Sequence, residues 1–433
     1  MDKTNKILIN KISNYESQTV QLNGWVYNSR RSGKIGFLML RDGTGLLQCI
    51  IEKSHIGEDS FEEFKKLTQE SSISVNGNVV KNERASGGYE VFVDSIEIHQ
   101  TSIDYPITPK EHGTDFLMNH RHLWLRSKRQ HSILKVRHQI IKSIRDFFDM
   151  NDFTLVDTPI FTPNAAEGTS TLFETDYFDT KAYLCQTGQL YGEASAMAFG
   201  RHYNFGPCFR AEKSKTRRHL TEFWMVEPEI AYCSSDENME WAEKLIIYII
   251  SQVLENRRNE LDLLDRDIAK LEKIQAPFPR LSYTESIDLL QKADFDIKWG
   301  DDFGSPHETH ISDMYDSPVM IYGFPAEIKA FYMKRDPKNP KVVLGMDMLA
   351  PQGYGEIIGG SEREVDIDIL LERIDEEGLN RADYEWFLDL RRYGSVPHSG
   401  FGMGLERVVA WICGLEHIRE TIPFARTMSR LNP

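Results

Sequence analysis

The chain has 433 residues, enough for two or more hydrophobic cores, and its 40% hydrophobic and 27% charged residues are an ordinary balance for a globular protein. A formal net charge of -15 argues against indiscriminate binding of polyanions. No apolar run is long enough to span a bilayer, and Met1 to Lys6 leads into no secretion-type apolar stretch, so no membrane partner and a cytoplasmic location are expected. Five scattered cysteines, Cys49, Cys185, Cys208, Cys233 and Cys413, form no C-x-x-C pair and read as reduced core thiols.

Residues 1–102 read as β structure. Val20, Leu22 and Val26 alternate with polar neighbours, and Trp25 faces the other way. Phe37 to Arg41 and Leu46 to Glu52 flank the turn Asp42-Gly43-Thr44-Gly45, a hairpin signal. Phe61, Phe64 and Leu67 fall at helical spacing, after which Ile73, Val75 and Val79, Val91 with Val93, and Ile96 with Ile98 alternate again. Three strands, a helix and two strands is the order of a Greek-key barrel of the OB type, though other five-stranded barrels share it. Residues 103–130 read as a linker, with Pro106 and Pro109 in a stretch without periodicity.

Residues 131–433 mix helices and strands without repeats and form the expected second domain. A basic run spans Arg121, Arg126, Lys128, Arg129, Lys135, Arg137, Lys142 and Arg145. Within it, Ile133, Val136, Ile140, Ile144 and Phe148 mark an amphipathic helix, so the charges are either a solvated face or an RNA contact. A second long helix is expected to start at Asp236 as N-cap. The charged stretch from Asn256 to Glu272 suits a surface helical excursion, and residues 295–320 give no readable signal.

Three segments carry chemistry. The first runs from Phe205 through Arg210 and Glu212 to Arg217, His219 and Phe223, two strands joined by a polar, basic loop. The second is Gly355-Glu356-Ile357-Ile358-Gly359-Gly360-Ser361-Glu362-Arg363, preceded by Asp347. The third is Gly400-Phe401-Gly402-Met403-Gly404-Leu405-Glu406-Arg407. Its glycines would let backbone approach a ligand closely, as phosphate-cradling loops do, but no Gly-Lys-Ser/Thr follows and the dinucleotide fingerprint is incomplete. Its terminal arginine matters more, because a fixed guanidinium holds a phosphate through paired hydrogen bonds.

The first and third segments resemble motifs 2 and 3 of the class II aminoacyl-tRNA synthetases. Leu155-Val156-Asp157-Thr158-Pro159 resembles motif 1, whose proline lies at the dimer interface in that family. The likeness covers nearly the whole chain, and the barrel resembles the anticodon-binding domain of the aspartyl, asparaginyl and lysyl subgroup. The resemblance implies an α+β protein: an OB-type barrel followed by a class II catalytic domain built on an antiparallel sheet flanked by helices. It also implies an ATP-dependent aminoacyl-tRNA ligase, with ATP as substrate, Mg2+ as cofactor and a homodimer as the assembly.

By that resemblance Arg210 contacts the amino-acid carboxylate and the α-phosphate, and Arg407 the γ-phosphate. Glu212 and His219 belong to the loop around adenine and the phosphates, Phe223 stacks on adenine, and Asp347 and Glu356 are the metal ligands. Glu167, Thr187 and Gln189 resemble the residues that hold the α-ammonium. In the aspartyl enzymes a lysine follows Gln-Leu-aromatic; here Gln189-Leu190-Tyr191 is followed by Gly192, while Arg363 is kept and Glu227 stands for an aspartate. Arg363 donating to an amide oxygen and Glu227 accepting from its NH2 fit asparagine and tRNA(Asn). Phe37 matches a residue that stacks on an anticodon base, and Arg30 and Gln48 match residues that read the central uridine. The alternatives are an aspartyl-tRNA synthetase, including one that charges both tRNAs, and an adenylate-forming asparagine synthetase. Gly192 stands against the first and the barrel against the second.

Overall fold

The computed structural model describes residues 5–85, 87–166, 172–214 and 216–433. They divide into two compact units, Met1–Gly113 and Thr114–Pro433.

The first unit is a closed barrel. Strand Thr19–Ser32 pairs with Ile35–Arg41 on one side and Ser72–Lys81 on the other. Ile35–Arg41 continues to Leu46–Glu52, which runs parallel to Tyr89–Gln100, and that strand closes onto Ser72–Lys81. The period of two sends Val20, Leu22, Val26, Leu38, Leu40, Val75 and Val91 inward at 0% exposure. A register shift between Val26 and Asn28 bends the long strand so that it can serve two neighbours. Helix Glu58–Lys65 plugs the barrel with Phe61 and Phe64. Gly36 makes room for it: a Cβ there would lie 2.4 Å from the Phe64 ring.

The second unit is built on an eight-stranded sheet. Its strands lie in the order Arg280–Ser282, Val319–Tyr322, Gly345–Ala350, Gly355–Glu362, His398–Gly404, Glu222–Ala231, Arg201–Phe209 and Thr154–Leu155. The two outermost pairings are parallel, and the interior is antiparallel. Helices Lys128–Met150 and Ser235–Asn256 cover one face, sharing a core with Val226, Ile230, Phe401 and Met403 of the sheet. Ser127 caps the first helix by accepting from the Gln130 amide. The second starts at Ser234, not Asp236: Ser234 and Glu237 exchange bonds in a capping box, leaving Asp236 in the first turn.

Two members of the basic run, Arg121 and Arg137, are buried, while Lys128, Arg129, Lys142 and Arg145 are exposed. Arg121 is 1% exposed and donates to the carbonyls of Pro423 at 2.8 Å and Ile422 at 2.9 Å. Arg137 meets Glu406 at 2.7 Å and Arg129 meets Glu420 at 2.8 Å. These side chains tie Glu406 and the C-terminal segment to the helices Arg121–Trp124 and Lys128–Met150.

Candidate functional site

The sheet face away from the long helices carries the site. Along Glu222–Ala231, Val226 and Ile230 turn into the core, so Phe223, Met225, Glu227 and Glu229 turn to the other side. The same alternation governs His398–Gly404: Phe401 and Met403 are core, and Gly400, Gly402 and Gly404 form the floor. The G-x-G-x-G segment is therefore a strand, whose last residue Gly404 is the N-cap of the helix Leu405–Cys413. Its glycines clear space for neighbouring side chains, since a Cβ on Gly402 would lie 2.4 Å from the Met225 methyl.

Two cavities meet over this floor. One, of about 110 Å³, is lined by Arg210, Glu212, His219, Phe223, Glu356 and Arg407, among others. The other, of about 280 Å³, is lined by Thr187, Gln189, Glu227, Asp347 and Arg363, and shares Arg210, Met225, Glu356 and Gly402 with the first. The expected nucleotide residues thus collect in one chamber and the described amino-acid residues in the other, with Arg210 on the common wall. Glu167 lies outside the described residues.

In the first chamber the Arg210 guanidinium sits 5.5 Å from the Phe223 ring centre, leaving a cation and an aromatic face side by side. Arg407 donates to the Glu356 carbonyl at 2.8 Å and approaches its carboxylate at 3.4 Å. His219 is 3.6 Å from Glu212. Burial and the nearby Arg407 hold its imidazole below the usual histidine range, so the ring is neutral. Glu356 stays ionised: burial opposes this, but Arg407, Lys329 and Arg210 outweigh it.

The second chamber has a layered wall. Glu227 accepts from the Thr187 hydroxyl, from the Gly188 amide at 2.9 Å and from Asn204 Nδ2 at 3.0 Å, and burial still raises its carboxyl above the usual value. Arg363 donates through Nε and Nη2 to the two oxygens of Glu229, both at 2.9 Å, through Nη2 to Gln189 Oε1 at 2.6 Å and through Nη1 to Ser361 Oγ at 2.7 Å. Beside Gly192 the space is filled by His202, whose Nε2 would lie 3.0 Å from a Cβ there, and by Glu229, not by a lysine.

Asp347 and Glu356 converge on Gly359: a Cβ there would be 2.9 Å from Glu356 Oε1 and 3.5 Å from Asp347 Oδ1. Two hard oxygen donors suit a magnesium ion completed by phosphate oxygens and water. Among the described residues no group of three or more such side chains forms a closed metal cage. Lys329 Nζ lies 2.6 Å from Asp347, whose carboxyl burial pushes up to about 7, while that carboxylate keeps the ammonium above its ordinary range.

Sequence reasoning missed several residues here. Glu308 lies on helix Ser305–Ser312 and lines the second chamber, and its partner Arg218, at 3.0 Å, lines the first. Glu193 sits behind Gln189, bonded to Arg391 at 2.6 Å and His398 at 2.9 Å. Only the packing of elements distant in the chain brings these groups together, and no local pattern encodes it.

On the barrel, Phe37 alternates with the buried Leu38 and is half-buried on the outside, with the Arg30 guanidinium 4.8 Å from its ring centre. Gln48 donates to Glu90 at 3.2 Å on the adjacent strand. Pro159 is exposed, in a stretch where Leu155, Ile160, Phe161, Phe173, Tyr177 and Phe178 are 37–90% exposed.

Comparison with known proteins agrees with this geometry. Residues 113–428 match the family of class II tRNA synthetases (D, K and N), and residues 20–98 match the OB-fold nucleic acid binding domain. An asparagine–tRNA ligase of Desulforamulus reducens is 57% identical over 98% of this chain and 99% of its own. Another from Pelotomaculum thermopropionicum is 56% identical over 99% and 100%. The crystal structure of asparaginyl-tRNA synthetase from Pyrococcus horikoshii complexed with asparaginyl-adenylate is 45% identical, covers 100% of both chains and superposes with a TM-score of 0.97. With an OB barrel, a mainly antiparallel catalytic sheet and these relatives along its whole length, the chain belongs to the class II tRNA synthetases of the aspartate, lysine and asparagine group, within the asparagine–tRNA ligase family.

Proposed function

We propose that this chain joins ATP and asparagine into asparaginyl-adenylate with release of pyrophosphate, then transfers the asparaginyl group to the 3′ end of tRNA(Asn). The observation that carries the reading is the pair of joined chambers, one lined by cations and an aromatic ring and the other by Arg363 and Glu227, with Arg210 between them.

In the first step a carboxylate oxygen of asparagine attacks the α-phosphorus, and the bond to the bridging oxygen of pyrophosphate breaks. Arg210 is placed to hold both reacting anions in line, which converts an encounter into a positioned reaction. Phe223 takes the adenine ring, Glu212 and His219 border it, and Arg407 binds the terminal phosphate. Asp347 and Glu356 would hold magnesium, which when bound supplies positive charge to the phosphate oxygens. Thr187 and Gln189 face the α-ammonium, and the family resemblance assigns Glu167 to the same group. Arg363 donates to the carboxamide oxygen and Glu227 accepts from its NH2. In the second step the terminal ribose hydroxyl attacks the acyl carbon and AMP leaves, so no enzyme-bound acyl group is needed.

The barrel reads the anticodon, with Phe37 stacking on a base and Arg30 and Gln48 reading the central uridine. The exposed apolar stretch around Pro159 is the contact of a homodimer. The five free, buried thiols and the absence of a membrane-crossing helix among the described residues go with a cytoplasmic location. The test is amino-acid-dependent exchange of labelled pyrophosphate into ATP. Asparagine should support it and aspartate should not; equal rates would remove the substrate assignment.

A further inference from the structure

We propose that Glu229 sets the pocket's preference for an uncharged carboxamide, by occupying the fork of Arg363 and cancelling its charge. The inference rests on the reading of Arg363 and Glu227 as the side-chain subsite. It adds a residue that does not line that chamber: Arg363 and Glu227 do, and Glu229 stands behind Arg363.

A guanidinium has five N–H donors, and a carboxylate ligand is bound best when two of them reach it side by side. Here that side-by-side pair, Nε and Nη2, is already engaged by Glu229 at 2.9 and 2.9 Å, with both side chains 2% exposed. The second Nη2 proton goes to Gln189 and one Nη1 proton to Ser361. Among the described residues a single Nη1 proton remains. One donor serves a neutral carbonyl oxygen well and a carboxylate poorly. Among the described residues, the hydrogen-bond donors to Glu227, namely Thr187, Gly188 and Asn204, are all neutral. Arg363 and Glu229 cancel, so the side-chain end of the chamber keeps the negative charge of Glu227; of the other cations on its wall, Lys329 is paired with Asp347 and Arg210 is the group assigned to the reacting anions.

The arrangement is built, not incidental. A Cβ at position 400 would lie 2.0 Å from Glu229 Oε2, so Gly400 is what leaves room for the ion pair. Gln189 cannot turn its amide round: its Nε2 donates to Glu229 at 3.2 Å and to Glu193 at 3.3 Å, which fixes its oxygen toward Arg363. Glu193 is pinned in turn by Arg391 and His398, all three with 0% exposed side chains. The chain of bonds holds Arg363 in one orientation and Glu229 in its fork.

The experiment is Glu229→Gln in the full chain, with pyrophosphate exchange measured for asparagine and for aspartate. The parent is measured first. If it prefers aspartate, the function reading fails, and this proposal with it, before Glu229 is touched. If the parent prefers asparagine, the variant should lower the asparagine-to-aspartate ratio of kcat/KM at least about tenfold, aspartate gaining as asparagine loses. Equal losses for both, with the ratio unchanged, would show that Glu229 only supports the fold and would overturn the proposal. For a variant too weak to turn over, calorimetric binding of the sulfamoyl analogues of asparaginyl- and aspartyl-adenylate reads the same ratio. A gap between the two analogues as wide as in the parent would overturn it equally.

Discussion

Replacing Arg407 by alanine separates what this side chain does for the fold from what it does for ATP. In the folded chain its contacts are one hydrogen bond to the Glu356 carbonyl at 2.8 Å and an ion pair to the Glu356 carboxylate at 3.4 Å, with side chains 29% and 38% exposed. A pair that open contributes about 0–1 kcal/mol and the hydrogen bond about 1 kcal/mol, so Arg407→Ala should lower Tm by only a few degrees. Against a terminal phosphate the same guanidinium makes two charge-assisted bonds of about 1.5–3 kcal/mol each. Losing both costs about 10²–10⁴ in kcat/KM for ATP, since each 1.4 kcal/mol is tenfold. The assays are pyrophosphate exchange across a range of ATP concentrations and a thermal melt of the same preparation. A variant with kcat/KM for ATP within about threefold of the parent would refute the phosphate role. So would a variant whose melting transition collapses along with its activity.

Phe37→Ala should raise the KM for tRNA about tenfold to a hundredfold, the worth of one base stack, and leave tRNA-independent exchange as it was; an unchanged KM removes the stack. His202 is fully buried, and burial holds its imidazole down at about 4, against an ordinary 6.5. Its stabilising contribution is therefore complete above pH 6.5 and lost as pH falls toward 4, on the order of 3 kcal/mol in urea unfolding. His202→Gln should flatten that slope, and a slope identical to the parent's would exclude His202 as its cause. Phe161→Glu with Phe178→Glu should convert a dimer to a monomer in sedimentation and lower activity at dilute enzyme. A parent that already sediments as a monomer contradicts the interface.

The barrel was legible because its inward positions keep a strict period of two, and because Phe61 and Phe64 announce the helix between the third and fourth strands of the motif. The catalytic segments were legible through residue types fixed by chemistry, such as Arg210, Glu356, Arg363 and Arg407. What the sequence concealed depends on pairing between distant strands. Glu229 and Arg363 are 134 positions apart and touch only because the strand bearing Glu229 and the strand Gly355–Glu362 that ends just before Arg363 flank the glycine-floored strand His398–Gly404. Gly400 looked like a ligand-approach glycine because its reason, the Glu229 carboxylate, comes from that neighbour. Glu308 was invisible because helix Ser305–Ser312 is short and buries only Ile311 and Ser312, too little for an amphipathic signature. The structural part of the basic run was hidden because Arg121 and Arg137 meet partners near the C-terminus, far beyond the reach of any local window.

A crystal structure of the chain with asparagine, magnesium and a non-hydrolysable ATP analogue would be the most direct test. It should show adenine against Phe223, the terminal phosphate on Arg407, and the carboxamide bridging Arg363 and Glu227 with Arg210 between the two ligands. Nucleotide bound away from Phe223 and Arg407, or asparagine outside the chamber of Arg363 and Glu227, would contradict the account.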